Sequence, residues 1–152
     1  MKYEDLIKEV DKDKISFYEN NKICELKGLY VNKTITINSN LETSAEKTCI
    51  LAEELGHYHT SSGDILDQSK LCNRKQERLA RAWGYKKLVT MTDLVNAYND
   101  GVGSVHELAD YLNITEEFVL NAIEYYREKY GLFCELDNYI IYFKPFGVFR
   151  KL

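Results

Sequence analysis

Residues 51–59, Leu-Ala-Glu-Glu-Leu-Gly-His-Tyr-His, are the stretch of this chain where carboxylates and imidazoles crowd together. On a helix Glu53 and His57 stack on one face, being one turn apart, while Glu54 points about 100° round the axis. That is the spacing of a His-Glu-x-x-His helix, whose outer residues grip zinc while the inner glutamate activates water. Here the first position is a glutamate. By itself such a string is more often an acidic, solvated helix end followed by two ordinary histidines, so the elements that position it must decide.

Upstream, Thr43-Ser44-Ala45-Glu46 is a capping box: the threonine can accept from the amide three residues on, and the glutamate can reach back. A helix should start there. Thr48, Cys49, Ile50, Leu51, Ala52 and Leu55 leave little of its circumference polar, which predicts a helix buried between layers. Charged groups at the end of such a helix need partners, because an unpaired buried charge is costly. Ser61-Ser62-Gly63-Asp64 should break the helix and open a loop to about residue 73.

A second helix is expected over 75–88, with Glu77, Ala80, Gly84 and Leu88 on one stripe and Arg74, Arg78 and Arg81 on a basic one. Small residues at Ala80 and Gly84 would let it lie close to a neighbour, offsetting the helical cost of the glycine. Close packing would carry Glu77 towards His57, the way a third ligand commonly reaches such a helix.

The remaining elements frame these two helices. A short amphipathic helix over 1–12 precedes a strand at 15–18, a turn at 19–21 and a hairpin from 26–30 to 34–38 turning near Asn32-Lys33. Alternation in Thr34-Ile35-Thr36-Ile37 marks a half-buried strand. A third short helix over 91–98 is closed by the glycine-rich turn 99–103, and Ser104-Val105-His106-Glu107 forms a second capping box. The helices 108–112 and 116–130 that follow, joined at Asn113-Ile114-Thr115, read as helix-turn-helix, with Ala109, Asn113 and Val119 at the spacing of its core. The tail 133–152 reads as one strand before Pro145 and an irregular end.

At 152 residues the chain suits one domain, or one domain with a small appended subdomain. A net charge of −4 argues against a broad footprint for nucleic acid or anionic membrane. DNA contact is further disfavoured because Glu116, Glu117, Asn121 and Glu124 would face phosphate with negative charge. His106 reads as a surface residue. No apolar run is long enough to span a membrane, and the charged N-terminal residues lack the apolar core of a signal peptide, so a cytoplasmic location is expected. Cys24, Cys49, Cys72 and Cys134 include no Cys-x-x-Cys pair, which fits reduced thiols.

With Glu53-Glu54-Leu55-Gly56-His57, Glu77 within Glu-Arg-Leu-Ala-Arg-Ala-Trp, and the helix-turn-helix segment after it, the chain resembles the ImmA/IrrE family of zincin-like metallopeptidases, from about residue 28 to 131. It looks most like the small versions carried by phages and mobile elements. The resemblance implies an α+β fold: a zincin-like minimal domain over 1–90, with a small antiparallel sheet and the active-site helix. A helical, helix-turn-helix-like segment over 91–131 and a strand and tail over 132–152 complete it. It also implies roles: His57 as a ligand, Glu54 as general base on a metal-held water, and Glu77 as the third ligand. Glu53 stands where the family usually has its first histidine. The implied activity is metal-dependent endoproteolysis of a helix-turn-helix repressor. The alternative is a degenerate member that binds a repressor or other protein without cleaving it, with Glu53, Glu54 and His57 kept as a polar cluster paired to Arg78 or Arg81.

Zinc is the implied ion, with manganese or another divalent cation, or no metal, as the alternatives. Two carboxylates and one imidazole cancel the ion's charge and weaken the preference for zinc, so weaker zinc retention than in a two-histidine site is expected. His59 is assigned either to the helix C-terminus, where the dipole favours it, or to an auxiliary role as ligand or oxyanion donor. Tyr58 and Asp64 are weaker candidates with structural roles.

Overall fold

The structure, a computed structural model, describes residues 3–61 and 70–152, and the side chains of all of these except 70–73. Among the described residues are six helices and two three-stranded sheets, giving an α+β chain that divides into two compact units, Met1–Gly84 and Tyr85–Leu152. None of the helices is long and apolar enough to cross a membrane. Among the described residues, Cys24, Cys49 and Cys134 are thiols outside any disulfide.

In the first unit α1 (Tyr3–Lys12) is followed by β1 (Ser16–Asn20), β2 (Gly28–Val31), β3 (Thr34–Asn38) and α2 (Ser44–Thr60). The β2–β3 hairpin turns at Asn32-Lys33, both at positive φ, the two-residue turn whose twist suits a hairpin. Ile35 and Ile37 point inward and are fully buried, as the alternation predicts; β3 packs on α2, where Leu51 and Leu55 are also fully buried, and α2 in turn packs on α1, which buries Leu6 and Val10. The expected antiparallel sheet is in fact mixed. The order is β1-β3-β2, with β1 parallel to β3, and β1 runs on through Asn20 where a turn was expected.

Parallel pairing arises because residues 21–27 carry the chain from one edge of the sheet to the other across the end of β3. Asn38 holds that crossing: its buried side-chain amide donates to the carbonyls of Cys24 (3.0 Å) and Leu26 (2.9 Å) and accepts from the Asn40 amide. A buried side-chain amide needs acceptors for both of its hydrogens, and the two crossover carbonyls supply them.

Thr43 caps α2 as expected, accepting from the Glu46 amide at 3.1 Å, and the helix buries Thr48, Cys49, Leu51, Ala52, Glu54, Leu55 and Gly56. It ends at Thr60, where the Ser61 amide bonds the His57 carbonyl. The expected loop beyond it, Asp64 included, lies outside the described residues up to 69. α3 (Lys70–Leu88) already starts at Lys70, earlier than its apolar stripe suggests.

The second unit continues with α4 (Met91–Asn99), α5 (Val105–Leu112) and α6 (Glu116–Tyr130). Thr90 and Asp93 form a full capping box on α4, which the sequence reading passed over. On α5, Ser104 accepts the Glu107 amide as expected, but the Glu107 carboxylate returns to the Gly103 amide, one residue early. Asn113 ends α5 in the left-handed conformation and Thr115 caps α6. The tail is not one strand and an irregular end but an antiparallel meander, β4 (Phe133–Leu136), β5 (Tyr139–Phe143) and β6 (Phe146–Arg150). Pro145, expected to end regular structure, sits in the tight turn between β5 and β6. Ile141 and Phe143 point into the core beside Tyr126, whose hydroxyl donates to the Val89 carbonyl at 2.6 Å.

Candidate metal centre

Glu53, Glu54 and His57 lie in the last two turns of α2, and Glu77 comes from α3. What lets α3 reach them is Gly56. A Cβ there would collide with the backbone carbonyl of Ala80, so the helices touch backbone to backbone at this point. Ala80 is fully buried, and Gly84 and Leu88 are buried on the same stripe. Ala80, on the small-residue stripe of α3, is therefore one half of the contact, and Gly56, inside the motif itself, is the other.

The close approach sets up two cross-helix pairs. His57 Nε2 lies 3.3 Å from Glu77 Oε1, and Glu53 Oε1 lies 3.5 Å from Arg81 Nε. One ligand atom from each of Glu53, His57 and Glu77 falls within 4.8 Å of the other two. Donor atoms round a tetrahedral ion at about 2.1 Å stand about 3.4 Å apart. The His57–Glu77 separation already matches that spacing, and the third donor stands within 4.8 Å of both. These residues fit a divalent cation.

Glu54 is different in kind. It is buried, and its carboxyl lies against β2: a Cβ on Gly28 would stand 3.0 Å from Glu54 Oε1 and 2.5 Å from Ile50 Cγ2. Gly28 thus keeps the space that this carboxyl occupies, a role no local pattern in the sequence announces. Removal from water, reinforced by the negative charges of Glu53 and Glu77, pushes its pKa up to about 8. A cation held beside it would oppose those neighbours and favour the ionised, base-competent form.

This shift has a measurable sign. In the metal-free protein the folded state holds the Glu54 proton up to about pH 8, whereas a carboxyl in the unfolded chain releases it near 4.5. Folding is therefore favoured below 4.5, and the contribution is lost as pH rises through that interval. The melting temperature of the metal-free protein is expected to fall between pH 5 and 8 by an amount equivalent to a few kcal/mol at most, and Glu54→Gln should flatten the profile. A flat wild-type profile measured in chelator would contradict the burial of an ionisable Glu54.

His59 stands outside the ligand group. Its ring stacks on Trp83, with centroids 4.7 Å apart, and its Nε2 lies 3.6 Å from Asp13 Oδ2. Tyr58 meets Tyr30 of β2 edge-on. Asp13, Trp83, Gly28 and Gly56 all escaped the sequence reading. Gly56 was the most accessible of them, since a glycine inside a helix commonly marks a close approach. In the second unit His106 is exposed as expected and pairs with Glu116 and Asp110, and Glu116, Glu117, Asn121 and Glu124 are exposed.

The family model described as the IrrE N-terminal-like domain, a peptidase family, matches residues 7–124. Among curated proteins, none matches the chain.

Proposed function

From the premise that this chain belongs to the ImmA/IrrE family of metallopeptidases, we propose that it is a metal-dependent endopeptidase acting on a helix-turn-helix repressor of a phage or mobile element. The observation that carries the peptidase part is the convergence of Glu53, His57 and Glu77 beside a buried Glu54. The repressor as substrate rests on the family likeness, and such a substrate puts the protein in the cytoplasm.

In this reading Glu53, His57 and Glu77 hold a divalent cation, zinc or manganese. When bound, the cation polarises the scissile carbonyl and acidifies water. Glu54 accepts the proton of the attacking water and delivers it to the leaving amine. It is buried beside the space that Gly28 leaves open, which shields the carboxyl from bulk water. The α5–turn–α6 segment is read as helix-turn-helix-like. Its exposed acidic face favours a protein partner over duplex DNA.

The test combines metal analysis with proteolysis. Protein purified without added metal should carry less than one equivalent of zinc, lose it to mild chelation, and cut the repressor encoded beside it once zinc or manganese is restored. Near-stoichiometric zinc that survives chelation would refute the weak-retention expectation. Failure to bind either metal, together with an intact repressor, would overturn the peptidase reading and favour a binding role.

A further inference from the structure

The two cross-helix pairs are unlike in one respect. Glu77 faces His57 as a second potential ligand, whereas the residue facing Glu53 is a cation. Arg81 lies one turn beyond Glu77 on α3, as His57 lies one turn beyond Glu53 on α2, so the same helix face that brings the third ligand also brings a fixed positive charge. A guanidinium keeps its protons throughout the working pH range and has no lone pair to offer. It can therefore never join the ligand set. It can only occupy a carboxylate that the set needs.

We propose that Arg81 is a built-in competitor for Glu53, and that its displacement from that carboxylate is the step that sets how tightly the centre holds its metal. This rests on the reading of Glu53 as a ligand. A cation taking the Glu53 carboxylate comes within a few ångströms of the guanidinium, and the two repel. Arg81 is the partner placed to yield, since its side chain is 57% exposed and can swing into water, while that of Glu53 is only 27% exposed. An exposed pair of this kind is weak by itself. Its effect on a divalent ion is larger, because repulsion scales with the product of the charges. The site is thus biased towards binding metal reversibly, by a charge outside the ligand set as well as by the extra carboxylate inside it.

The experiment measures dissociation constants of metal-stripped full-length protein for Zn2+ and Mn2+ by competition with a chromophoric chelator. Arg81→Met should bind both ions about tenfold more tightly than wild type at low salt, and the gap should narrow as salt screens the charge. Arg81→Lys, which keeps the charge, should stay within about twofold of wild type, as should Arg78→Met on the exposed side of the same helix. Should Arg81→Met melt early, Arg81→Gln provides the same test with a polar side chain. Wild type that binds metal and an Arg81→Met protein that binds it equally or more weakly would overturn this inference and leave the peptidase reading standing. No metal binding by any of these proteins would overturn both.

Discussion

Glu54→Gln is expected to keep its metal and lose cleavage by roughly a thousandfold, within the range that general acid–base groups contribute. The amide has the size of the carboxyl, so it fits between Ile50 and the place that Gly28 leaves open. It cannot take a proton. Because Glu54 is not one of the three converging donors, metal content and affinity should change little. Folding should not suffer either, since a neutral amide avoids the desolvation that raises the carboxyl's pKa. Cleavage rate, metal content and melting temperature measured together separate these effects. Cleavage that persists in the metal-loaded variant would remove Glu54 from the role of base.

The second large effect is expected at Gly56. Alanine is normally the better helix residue, by about 1 kcal/mol. Here the added methyl would meet the Ala80 carbonyl, a backbone atom with no rotamer by which to move aside. Overpacking of this kind typically costs 1–3 kcal/mol, so Gly56→Ala should be destabilised by about 2 kcal/mol despite its propensity, lowering the melting temperature by about 4–8 °C. Relief by pushing α3 outward would part Glu77 from His57, so metal affinity should fall together with stability. Gly103→Ala is the fitting control. Nothing lies within 4 Å of its added Cβ, and it should stay within about 0.5 kcal/mol of wild type. A Gly56→Ala protein as stable as that control would mean the helices do not touch where described.

What could be read in advance is what depends on near neighbours in the chain. Thr43 three residues before Glu46, the Thr34–Ile37 alternation, Asn32-Lys33 between two strands and Asn113 before Thr115 each act over a few residues: the last three do what their patterns say, and Thr43 caps α2 as the threonine half of its box predicts. The parallel pairing of β1 was out of reach because strand order is a long-range property, decided by Asn38 gripping a crossover whose own sequence carries no periodic signal. β6 is hard to see in the sequence because a proline ordinarily ends a strand, whereas Pro145 serves a turn, and because Gly147 interrupts the alternation around it. Within the site the candidate ligands were legible from spacing along one helix and a carboxylate on another. The means of bringing them together was only half visible: Ala80 stood out, but its complement Gly56 was hidden inside the string read for chemistry.

Asn38 also shapes how this segment can vary. Its two amide hydrogens end on main-chain oxygens, which every amino acid carries, so residues 21–27 can drift in identity without loosening the crossing. What they cannot easily do is change in number, because an insertion or deletion would move the Cys24 and Leu26 carbonyls off the amide and leave buried polar groups without partners. The crossover should therefore be tolerant of substitution and intolerant of changes in length, a ruler rather than a recognition sequence.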